Sequence, residues 1–138
     1  MKPVKHPHPP RFTTPPSRAE IERLAAATLE SLPEIFLRPA GPLVLLVEDF
    51  PDEETEREMG LESPFDLLGL YRGVDLAHQS ILDVRTSLDT IILYRRPLLD
   101  YWCDTGEELA AVVRHVLIHE IGHHFGLSDE DMERIEAT

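Results

Sequence analysis

The chain has 138 residues, a 42% apolar share and one cysteine, Cys103. That suits one compact domain with its own core and excludes an internal disulfide. A net charge of −13 repels phosphate backbones and argues against nucleic acid as a partner, and no apolar run is long enough for a membrane helix.

Residues 1–16 hold six prolines and no apolar periodicity, so they read as an extended N-terminal tail ahead of a domain at 17–138. The tail is basic but lacks the apolar stretch of a secretory signal. Together with the single cysteine, this points to the cytoplasm. His6 and His8 read as polar tail residues. Ser17-Arg-Ala-Glu20 is a capping box, and Ile21, Leu24, Ala25, Thr28, Leu29 and Leu32 follow at helical spacing until Pro33. A packing helix is expected there.

Leu43 to Val47 is a short strand-forming run between Gly41-Pro42 and Asp49-Phe50-Pro51. Pro51 to Glu58 is dense in acids and reads as a solvated loop or short helix. Leu67 to Arg72 and Thr90 to Tyr94 are further strand candidates, punctuated by Gly73 and Pro97. Thr105-Gly-Glu-Glu108 has the letters of a second capping box and is expected to open a helix from Leu109 to Phe125. That helix is apolar on most of its sides, so burial is expected.

The end of this helix carries the chemistry. His119, Glu120 and His123 form H-E-x-x-H. Residues four apart share a helix face, so both imidazoles can reach one ion while Glu120 stands beside it as a base. Gly126 and Asp129 extend the pattern to H-E-x-x-H-x-x-G-x-x-D. In that longer motif the glycine ends the helix and the last residue returns as third ligand. Two alternatives stay open: Ser128 and Asp129 are also good N-caps for a helix from Glu130 to Ala137, and Glu133 could supply the third ligand instead. His115 lies one turn before His119, but three successive turns are too long for one ion, so it reads as a supporting or core histidine. His124 points about 100° away from His123 and reads as structural or as a rim residue.

The segment from Ile91 to Asp131, with L-Y-R-R-P-L and H-E-I-G-H-H-F-G-L-S-D, resembles the small bacterial zincin-like metallopeptidase family. Gly69-Leu-Tyr71-Arg-Gly73 resembles a second segment of that family. The resemblance implies an α+β, minimal zincin-like fold: an N-terminal packing helix, a small mixed sheet and a buried active-site helix. It also implies Zn²⁺ held by His119, His123 and Asp129, with Glu120 as general base toward a peptide or protein substrate. Met132 stands too close to the motif to form the methionine turn of metzincins. Tyr94, Arg95 and Arg96 are candidates for aligning substrate or steadying an oxyanion, with Tyr94 equally readable as a packed strand residue. A peptidase, a hydrolase of non-peptide amides and a metal-holding binding scaffold all fit these letters. Retention of Glu120 argues against the last, because holding metal requires no base. Substrate preference and oligomeric state are not encoded in any motif here.

Overall fold

The computed structural model describes residues 12–40, 42–73 and 89–138. His6, His8 and nearly all of the proline-rich tail lie outside the described residues. The order is α1 (Arg18–Ser31), α2 (Glu34–Leu37), β1 (Leu43–Glu48), α3 (Glu53–Met59), β2 (Gly69–Arg72), β3 (Asp89–Tyr94), α4 (Arg95–Thr105), α5 (Leu109–His124) and α6 (Asp129–Glu136). The fold is α+β. Among the described residues no helix is long and apolar enough to cross a membrane.

The first capping box forms: Ser17 accepts from the Glu20 amide, and Glu20 accepts from the Ser17 amide. It starts α1, whose Ile21 and Ala25 enter the core. Just ahead of it, Pro16 is buried and its carbonyl accepts from the Arg95 side chain at 2.7 Å. The three strands stand in the order β1-β3-β2, with β1 parallel and β2 antiparallel to β3. Side chains alternate across a strand. Ile91 and Leu93 therefore face one side, where α1 and α5 pack, while Tyr94 belongs to the opposite set with Thr90 and Ile92. The core joins Ile91 and Leu93 to Ile21 and Ala25 of α1, and to Val113, Leu117, Ile118 and Ile121 of α5.

The strand ends at Tyr94, as expected, but Arg95 to Thr105 form α4, a helix not foreseen from the sequence. Pro97 is in the first turn of that helix, where an amide has no intrahelical partner to lose. The expected second capping box is absent. Thr105 ends α4, its hydroxyl donating to the Tyr101 carbonyl and accepting from the Glu107 amide. Gly106 terminates the helix at φ 69°. The next helix starts at Leu109 from Glu108, with no side-chain cap. Thr105 has the right letter in the wrong helix.

Candidate metal centre

The motif occupies the last two turns of α5. His119 and His123 present their rings with centroids 5.7 Å apart and an 82° interplanar angle. Burial is less complete than the apolar sequence suggests: His119 and Glu120 are half-buried and His123 is exposed. The helix sinks its N-terminal and middle turns into the core and brings the motif to the surface.

Gly126 stops the helix. At φ 70° it takes the left-handed conformation, its amide donating to the His123 carbonyl at 3.1 Å and the Leu127 amide to the Gly122 carbonyl at 2.9 Å. This double closure is a Schellman motif, and it turns the chain back along α5. Ser128 then caps α6 by accepting from the Asp131 amide, with Asp131 reciprocating. The capping role falls to Ser128, and Asp129 stands in the first turn of the helix. Met132 is fully buried against Gly122, where a Cβ would lie 2.5 Å from its sulfur. Only glycine permits α6 to approach so closely. At 100° per residue, Asp129 lies about 60° and Glu136 about 40° round from Met132 on the same side, with Glu133 about 100° round in that direction. Asp129 and Glu133 are both exposed, and Asp129 is near enough to act electrostatically on His119.

Glu120 points toward the sheet. Burial raises its pKa, partly offset by His123 and by a hydrogen bond from the backbone of Tyr71. Tyr71 lies on β2, which is the edge strand beside α5 among the described residues. Its ring stacks on His124, centroids 3.9 Å apart at 17°, and its hydroxyl donates to Asp89 at 2.9 Å. His124 therefore packs against the sheet, turned away from the His119–His123 pair.

The sequence profile of zincin-like metallopeptidases matches residues 41–138. The chain belongs to the zincin-like metallopeptidase family. No curated protein matches it.

Zinc is the ion this zincin-like family implies, and the donors suit it. Burial and the neighbouring His115 hold the His119 pKa below the ordinary histidine value, while Glu136, ranked after them, acts the other way. His119 is thus kept in the neutral form that ligates. Two imidazoles and a carboxylate make a common N/O donor set for zinc.

The structure also brings together residues that sequence spacing did not pair. The Nδ1 of His115 is 2.5 Å from an oxygen of Glu136, and the Nε2 of His119 is 3.6 Å from the same oxygen. Glu136 follows the motif by sixteen residues from Glu120, and only the hairpin of α5 and α6 reveals the meeting. His115 is an exposed partner of this acid rather than a core histidine. Tyr94 is buried on the face of the sheet away from α5, near Thr55 and Arg72. Arg95 binds Pro16 and Asp49, and Arg96 lies over the Phe50 ring at 5.5 Å. β3, which leads into these residues, is the central strand. The edge strand beside the motif is β2.

Proposed function

We propose that the protein is a zinc-dependent peptidase in which His119, His123 and Asp129 hold the ion and Glu120 is the general base, within one domain spanning residues 17–138. The observation that carries this is the packing of the H-E-x-x-H helix between the edge strand β2 and α6, which begins with Asp129, in a chain of this family. When bound, zinc supplies a Lewis acid that acidifies water and polarises a peptide carbonyl.

The chain's own groups handle the proton. Glu120 accepts one from the attacking water and returns it to the leaving amine. Partial burial favours both halves of that cycle, because it brings the carboxyl closer to neutrality than an exposed glutamate. A hydrogen bond from the Tyr71 backbone ties the carboxylate to β2. An extended peptide lying along β2 would meet main-chain groups first, which implies modest sequence selectivity. The test is hydrolysis of a fluorogenic peptide library by the zinc-loaded chain, with Glu120→Gln as control. Cleavage by the native chain alone supports a peptidase. Equal cleavage by both, or by neither, contradicts it.

A further inference from the structure

His119 is the middle member of two overlapping histidine pairs on α5, each spaced by one turn. Its ring centroid is 4.1 Å from that of His115 and 5.7 Å from that of His123. We propose that His115, His119 and Glu136 form a second position for a divalent cation, one turn upstream of the catalytic set and sharing His119 with it. The inference rests on His119 being a ligand in the function proposed above.

One nitrogen from each histidine and one Glu136 oxygen lie within 4.8 Å of one another. Neighbouring ligands on a tetrahedral zinc are about 3.3 Å apart, given bonds of roughly 2.0–2.1 Å. The 3.6 Å separation of His119 from Glu136 is close to that, and the 2.5 Å contact of His115 must open by about 1 Å. His115 can do so, since its side chain is 58% exposed. As an ion pair, an exposed histidine and glutamate contribute little stability.

Glu136 is held in place by Arg114 of α5. The Arg114 guanidinium donates to the carbonyls of Ile135 and Glu136 at 3.0 and 2.8 Å. The Ile135 carbonyl also accepts from the Thr138 amide and hydroxyl, so the fork serves chiefly to pin the helix end over His115. A cavity of about 320 Å³, bounded partly by Tyr101, Ala111 and Val112, opens at His115 and Glu136. It gives a hydrated ion an approach that does not pass His123.

A neutral imidazole has one acceptor nitrogen. His119 can therefore serve one ion at a time, and the two positions exclude each other at that residue. An ion in the upstream position leaves His123 and Asp129 without their partner, so it is retained without assembling the catalytic set.

The experiment is Co²⁺ titration of the full chain, followed by visible absorption, with far-UV circular dichroism to verify folding. His123→Ala removes a catalytic ligand but no upstream one. It is expected to bind one Co²⁺ per chain within about 100-fold of native affinity, and the added His115→Ala to weaken binding at least about tenfold more. Equal binding by the single and double variants overturns the proposal. Asp129→Ala gives an independent check that keeps both histidine pairs: its remaining Co²⁺ affinity should fall on adding Glu136→Gln, and no fall overturns the proposal. The two readings fail differently. Should His123→Ala and the His115/His123 double variant bind alike while the native chain keeps its ion, the upstream position alone is wrong. Should Glu136→Gln abolish native binding while Asp129→Ala leaves it intact, the catalytic ligand set is wrong and the upstream position holds the resident ion.

Discussion

Among single residues, Asp129 and Glu133 divide most sharply. Both are exposed, but Asp129 lies nearer in angle to Met132, which fastens α6 to α5, and acts electrostatically on His119. Asp129→Ala should therefore weaken zinc by about 10- to 100-fold, down to what the upstream position retains, and Glu133→Ala by far less. Zinc competition against a chromophoric chelator measures both, and equal losses would exclude Asp129 as the particular ligand. Glu120→Gln should keep zinc and lose at least about 100-fold in peptide hydrolysis, because it removes the base while preserving shape. His124→Ala should keep zinc too, but destabilise the fold by about 1 kcal/mol through its lost stacking on Tyr71. Urea unfolding reads that loss, and a zinc deficit in this variant would place His124 in the site. The residue roles proposed for His119, Glu120 and His123 were legible because helical period alone fixes which side chains share a face. Glu136 was not legible. Its approach to His115 depends on a hairpin angle and on Arg114, neither of which leaves a mark in local spacing.

At the scale of elements, the joint between α5 and α6 depends on two glycines with different duties. Gly126 supplies a positive φ, and Gly122 supplies room for Met132. Gly126→Ala should cost about 1 kcal/mol from backbone strain, since open space surrounds it. Gly122→Ala should cost about 1–3 kcal/mol by overpacking, and should also displace α6 and lower zinc affinity. Thermal unfolding together with zinc titration separates them. Affinity lost equally in both variants would contradict this division of roles. The turn at Gly126 was readable from the letters, because few residues other than glycine accept that conformation. Helix α4 was missed for a related reason: Pro97 punctuates the end of a strand and also suits a helix's first turn, so it masked the helix that begins at Arg95. Thr105 misled in the same manner, because capping letters do not reveal whether a helix is starting or has just finished.

For the whole molecule, the three strand positions followed from short apolar runs bounded by glycine and proline, and the α+β class from the family resemblance. Strand order did not, since nothing local to β2 says that it will lie at the edge with its Tyr71 amide on Glu120. In the proposed function that arrangement joins fold to chemistry: the sheet would hold the base, α5 carry the imidazoles, and α6 return the carboxylate. The most direct test is anomalous diffraction at the zinc edge from crystals of the zinc-loaded chain. A single peak at bonding distance, about 2.0–2.2 Å, from His119, His123 and Asp129 is the predicted result. A peak bonded to His115 and Glu136 with His123 turned away, or none on α5, would contradict it.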